Sequence, residues 1–137
     1  MYVVGLTGSQ PGAALANFPV TASAFQPTPD PGNTAGTGFL AKLDTTQSGA
    51  ASLIYSSYLS GNGVDSGGPG YGDDALGVAE DSAGNTYIVG TTSSTNFPTT
   101  TTAFQTTAPA AVAGGTVLIS RFDTTKTGAA SLLYSSY

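Results

Sequence analysis

The sequence predicts an all-β chain in which one sheet-forming unit occurs twice, and three observations lead to that class. The first is self-similarity. Asn17-Phe18-Pro19 recurs as Asn96-Phe97-Pro98 and Ala24-Phe25-Gln26 as Ala103-Phe104-Gln105, an offset of 79 that holds to Tyr134-Ser135-Ser136-Tyr137, the copy of Tyr55-Ser56-Ser57-Tyr58. The second is composition: only 8% of residues are charged while 39% are apolar, the reverse of what a disordered chain needs. Polarity carried by Thr and Ser, with frequent Gly and Pro, is the signature of strands and turns. The third is a hairpin. Ala75–Glu80 and Thr86–Gly90 are strand-forming runs separated by Asp81-Ser82-Ala83-Gly84-Asn85, in which Gly84 can take the positive φ of a chain reversal.

Taken in order, the first strand is Tyr2–Thr7, because Tyr2-Val3-Val4-Gly5 repeats Tyr87-Ile88-Val89-Gly90. The offset there is 85 rather than 79, so the first copy carries six extra residues within Ser9–Ala16, the mark of an exposed loop. Strands follow at Phe39–Asp44 and Ser52–Leu59, then at Ala75–Glu80, Thr86–Thr92, Val117–Asp123 and Ser131–Tyr137. No helix is expected: Glu80 is the only Glu, Lys42 and Lys126 are the only lysines, and Ala108–Ala113 is broken by Pro109 and bounded by Gly114-Gly115. The chain therefore divides into a first unit at 1–61, a Gly-rich connection at 62–72 and a second unit at 73–137.

Alternation sets the environment of these strands. In Val117-Leu118-Ile119-Ser120-Arg121-Phe122, Val117 and Ile119 point one way and Leu118 and Phe122 the other; Leu132 and Tyr134 oppose Leu133 and Tyr137 in the same manner. Both faces are apolar, so each meander sheet is expected to be covered on both sides. Sheets stacked face to face, as in a β-propeller, satisfy this with a single repeated unit. Small residues Gly77 and Ala79 suit a crowded position near a propeller axis.

The ordered submotifs Asp73-Asp74, Gly77-Val78-Ala79, Asp81-Ser82, Gly84-Asn85, Tyr87-Ile88-Val89-Gly90, Phe97-Pro98-Thr99-Thr100, Ala103-Phe104-Gln105, Phe122-Asp123 and Leu133-Tyr134-Ser135-Ser136-Tyr137 resemble the bacterial SBBP β-propeller repeat over nearly the whole chain. That resemblance implies propeller blades in a large bacterial extracellular or surface protein. It implies no particular chemistry. The chain departs from the repeat in two places: the first unit lacks the inner strand equivalent to Ala75–Glu80, and the insert Gly61–Gly72 is longer than the usual link between blades.

Composition also removes functional classes. Three basic residues, Lys42, Arg121 and Lys126, in a chain of net charge −5 are too few to neutralise a run of phosphates, which excludes a nucleic-acid partner. The absence of Cys excludes disulfides and thiolate metal sites. No apolar run approaches the roughly 18 to 20 residues of a membrane helix, so no membrane insertion is expected, and no basic-then-apolar leader opens the chain. Because Met1 abuts a strand, the sequence reads as an excised or truncated segment.

Candidate chemistry is sparse. Asp65, Asp73 and Asp74, with Glu80 and Asp81 nearby, place hard oxygen ligands around a Gly-rich loop and could hold Ca²⁺, although the spacing is not that of an EF-hand. Asp81, Asp44 and Asp123 also read as turn formers at strand ends. A glycosidase needs two carboxylates facing a cleft, but the chain has no His, no Cys and no G-x-S-x-G elbow, so no catalytic residue is assigned. Gly61–Gly72 lacks the order of a phosphate-binding loop. Tyr71 is the best placed sugar-stacking residue, while Phe18, Phe25, Phe97 and Phe104 read as anchors buried against their own sheets. Tyr55, Tyr58, Tyr134 and Tyr137 read as strand residues packing between sheets.

Two functions remain: a structural or adhesive module, and part of a carbohydrate-binding or carbohydrate-active propeller with its site shared among blades. Two blades cannot close a ring. The expected partners are therefore further copies of the unit in the same chain or other copies of this chain, besides a protein or glycan ligand, and the isolated chain is not expected to be a stable monomer.

Overall fold

The computed structural model describes residues 1–8, 18–65, 68–69, 71–109 and 115–137, with backbone alone at 64–65 and 68–69. The insertion within Ser9–Ala16 and the end of the Ala108–Ala113 stretch lie outside the described residues. The chain is all-β. In order it forms β1 (Tyr2–Thr7), β2 (Thr37–Leu43), β3 (Leu53–Leu59), β4 (Val64–Asp65), β5 (Gly68–Pro69), β6 (Asp73–Glu80), β7 (Thr86–Thr92), β8 (Thr116–Phe122) and β9 (Leu132–Ser136). These make an antiparallel three-stranded sheet β1-β2-β3 and an antiparallel four-stranded sheet β6-β7-β8-β9. The seven expected strands are all present. The two-residue strands β4 and β5 add a small ribbon inside the Gly-rich connection.

Among the described residues there is no α-helix; the short 3₁₀ turns Gly49–Ser52 and Gly128–Ser131 occupy equivalent places before β3 and β9. Each is closed by its last serine, Ser52 Oγ donating to the Gly49 carbonyl and Ser131 Oγ to the Gly128 carbonyl, both at 2.7 Å. Equivalent bulges fall at Lys42/Leu43 and Arg121/Phe122, so the 79-residue repeat extends to backbone irregularities. The β6-β7 hairpin turns where expected. Gly84 has φ 84°, and Asp81 holds the turn by accepting from the Ala83 and Asn85 N–H groups at 3.0 and 2.9 Å. Asp44 and Asp123 act alike at other strand ends, accepting from the N–H and hydroxyl of Thr46 and Thr125 respectively.

The core lies between the two sheets. Register places Tyr2, Lys42 and Tyr55 on one face of the first sheet with Val4, Leu40 and Ser57, and it places Ile88, Ser120 and Ser135 on one face of the second with Gly90, Leu118 and Phe122. These faces meet: Leu40, Tyr55 and Leu59 pack with Ala75, Ile88, Phe97, Leu118 and Phe122, and every one of these is buried. Polar contacts cross the seam as well. Tyr55 Oη lies 3.0 Å from Ser131 Oγ, and Tyr2 Oη donates to Glu80 Oε1 at 3.2 Å and lies 3.3 Å from Thr124 Oγ1.

The phenylalanine anchors divide in a way that alters the expectation. Phe97 is buried and packs edge-on to Tyr137, with its N–H donating to Tyr137 Oη at 2.8 Å. Phe18, half-buried, lies 4.5 Å from the ring of Phe39 and 5.6 Å from that of Tyr58, at the equivalent site on the first sheet. Phe25 and Phe104 are not anchors to their own sheets. Phe25 reaches across the seam to pack edge-on to Phe122 at 5.7 Å, and Phe104 is 91% exposed. Their backbones are held alike: the N–H of Phe25 donates to Tyr55 Oη and that of Phe104 to Tyr134 Oη, at 3.1 and 3.0 Å. With the backbones held alike, only the Phe25 ring finds a second sheet to pack on.

Candidate functional site

The acidic residues singled out in the sequence do not converge. Asp73 and Asp74 are successive residues of β6, paired with Thr92 and Thr91, and strand alternation sends them to opposite faces. The side chain of Asp65 lies outside the described residues. Among the described residues no three Asp or Glu side chains gather as metal ligands would.

Asp73 is fully buried and forms the junction of the two units. Its Oδ1 accepts from Thr92 Oγ1 and from Ser94 Oγ, the latter at 2.8 Å, while Oδ2 accepts from the Gly61 N–H at 2.8 Å and Asn33 Nδ2 at 3.3 Å. Asn33 in turn accepts from the N–H groups of Ala35 and Gly36, both at 3.1 Å, so the loop of the first unit is tied to the first residue of the second. Burial pushes the Asp73 carboxyl above its ordinary value, against the pull of the hydrogen bonds from Thr92, Ser94 and Gly61. With every oxygen engaged by the protein, Asp73 has the chemistry of a structural node. Sequence reasoning missed Asn33, Thr92 and Ser94; Thr92-Ser93-Ser94 does echo Thr7-Gly8-Ser9 at the 85-residue offset, which was the one available signal.

The other concentration of reactive or binding groups lies on the outer face of the second sheet. Register gathers Tyr87, Arg121 and Tyr134 there beside Val89 and Ile119, and Val89 and Ile119 are exposed. The expectation that both faces of each sheet are covered fails on this side, where Val117 is also exposed. Tyr87, Ile119, Arg121 and Tyr134 line a cavity of about 230 Å³, next to one of about 290 Å³ bounded by Gly77, Ala79, Tyr87 and Val89. The Nε of Arg121 is buried without a hydrogen-bond partner. Tyr71, the proposed sugar platform, stands apart in the connection and is 76% exposed. Among the described residues no helix is long and apolar enough to cross a membrane.

No family model, curated protein or solved structure matches the chain.

Proposed function

We propose that this chain is a non-catalytic structural or adhesive module, two adjacent blades of an incomplete β-propeller of the bacterial SBBP-repeat type, belonging to an extracellular or surface protein. The observation that carries the reading is the repetition of the seam between the sheets. The residues on the face of the first sheet that meets the second, Tyr2, Val4, Leu40, Lys42 and Tyr55, recur in the second as Tyr87, Val89, Ile119, Arg121 and Tyr134. A unit that carries its own stacking face at repeating positions is built to add neighbours. In this reading the blade lacking its inner strand is the first, whose edge strand is β1.

The buried carboxylate is spent on holding the units together, and the turn carboxylates Asp44, Asp81 and Asp123 are spent on capping turns. That supports a scaffold role over a glycosidase role. Ca²⁺ at Asp65, Asp73 and Asp74 would have to displace the donors around Asp73, so the module is proposed to fold without it. The carbohydrate reading draws on exposed Tyr71 alone. Screening the purified chain on a glycan array and against chromogenic glycosides, with melting followed in calcium and in EDTA, tests all of this together. The expected result is no hydrolysis, no glycan binding that Tyr71→Ala abolishes, and the same melting temperature in both buffers. Turnover, Tyr71-dependent glycan capture or a calcium-dependent melt would overturn the scaffold reading.

A further inference from the structure

We infer that the outer face of the second sheet is a docking site for the three-stranded sheet of a second copy of this chain, joined head to tail. This rests on the stacked-blade reading and specifies its partner.

The internal seam supplies the template. On one side stand Tyr2, Leu40, Lys42 and Tyr55; on the other stand Ile88, Leu118 and Phe122. By the 79- and 85-residue offsets, the first set recurs as the uncovered Tyr87, Ile119, Arg121 and Tyr134. The second set corresponds to Val3, Phe39 and Leu43, which share no contact with the second sheet's core and are half-buried on the far face of the first sheet. The chain therefore ends in two different apolar faces, each the repeat equivalent of one side of a seam it already contains. Such a contact is heterologous.

The exposed details agree with this partner. Phe104, equivalent to Phe25, projects with nothing opposite it; in the docked pair it meets Leu43 of the second copy, the equivalent of Phe122. Tyr134 Oη, equivalent to Tyr55 Oη, meets Ser52 of that copy, which is poised on its 3₁₀ turn as Ser131 is. The cavity of about 230 Å³ beside Tyr134 is the space the incoming sheet fills. One substitution between the copies selects a sheet without an inner strand. Gly38 lies beneath β6, where an added Cβ would sit 2.8 Å from the Leu59 carbonyl oxygen of its own sheet and, across the seam, 3.3 Å from the Asp73 carbonyl oxygen and 3.6 Å from the Ala75 nitrogen. Its equivalent is Val117, 68% exposed, whose side chain would press on such a strand. The sheet β1-β2-β3 carries no strand at that position, so Val117 is accommodated.

The test is sedimentation equilibrium on the full chain and on two variants, Ile119→Lys on the receiving face and Val3→Lys on the inserting face, with circular dichroism to confirm folding. Wild type should associate with rising concentration, each variant alone should stay monomeric, and an equal mixture of the two should recover a one-to-one dimer and nothing larger. Phe104→Ala, an exposed substitution that leaves the fold intact, should weaken wild-type association roughly tenfold. Should either lysine variant unfold, Ile119→Ser and Val3→Ser take its place in the mixing experiment. A wild-type chain that stays monomeric, an association that neither variant disturbs, or a mixture that fails to pair would each overturn the proposal. Ring contacts between Phe25 and Phe122, measured on the same samples, tell that outcome apart from failure of the stacked-sheet reading itself.

Discussion

Phe97→Ala is expected to cost about 3 to 5 kcal/mol of stability, while Phe104→Ala, in the Ala-Phe-Gln motif seven residues on, costs almost none. Both phenylalanines belong to the same unit and to motifs that occur twice. Phe97 is 3% exposed within the inter-sheet core and its N–H is bonded to Tyr137 Oη, so truncation opens a cavity that the rigid β7 and β8 strands cannot close. Phe104 is 91% exposed, and its removal takes little surface out of contact. Urea denaturation, at a dilution at which the chain does not associate, measures both. Equal losses, or a larger loss for Phe104, would mean that the long loop packs otherwise than described.

The second large effect is expected at Asp73. Asp73→Ala strands the Gly61 N–H, takes the acceptor from one N–H of the Asn33 amide while the other keeps the Gly36 carbonyl, and leaves two hydroxyls to find new acceptors. Each buried donor left unmade costs about 1 to 3 kcal/mol, so a total on the order of 3 to 5 kcal/mol is expected. Asp73→Asn should cost only about 1 kcal/mol, because an amide oxygen in place of Oδ2 keeps both N–H donors and the Ser94 hydroxyl, which reaches Oδ2 as well as Oδ1, so that only the Thr92 hydroxyl has to turn and accept from the amide.

The same pair of variants reads out the charge. Burial raises the folded Asp73 pKa above that of the unfolded chain, so the ionised form opposes folding. As pH falls through that raised value the folded protein takes up its proton first, and the contribution of Asp73 to stability rises. Asp44, Asp81 and Asp123 have lowered pKa values, chiefly through side-chain hydrogen bonds from Thr46, Asn85 and Thr125, so their contributions disappear only below the ordinary carboxylate range. Stability should therefore rise gently on acidification toward that range and then fall. Asp73→Asn should flatten the rise and keep the fall; a variant that retains the rise would assign it to another group.

Strand positions were legible in the sequence wherever alternation and repetition agreed. Tyr2–Thr7 and Thr86–Thr92 have the bounds that their shared pattern predicts, and the other five strands differ by one or two residues at their ends. One of the two-residue shifts is instructive. Strand β6 begins at Asp73 rather than Ala75 because its first residue is fixed by Thr92, Ser94, Gly61 and Asn33, partners up to 40 residues away whose convergence no local pattern encodes. The ribbon β4-β5 has two residues per strand in a Gly-rich stretch, too short to carry any period. Phe25 and Phe104 show a different limit. Repetition makes two residues equivalent in backbone and bonding, but burial depends on whether a neighbouring sheet is there, and only the first unit has one. The candidate site was therefore half visible: Tyr134 and Arg121 could be recognised as repeat copies, yet that no second sheet stands over them could not. The acidic cluster read from proximity in sequence fails to gather for the opposite reason, since adjacent strand residues face apart.

The face-to-face stacking of the two repeated sheets is tested most directly by nuclear Overhauser contacts in the folded chain. Cross-peaks are predicted between the rings of Phe25 and Phe122, between Tyr55 and Ser131, and between Tyr2 and Thr124, with none linking Phe104 to any ring of its own molecule. Phe25 cross-peaks confined to the first sheet, with none to Phe122, would contradict the account.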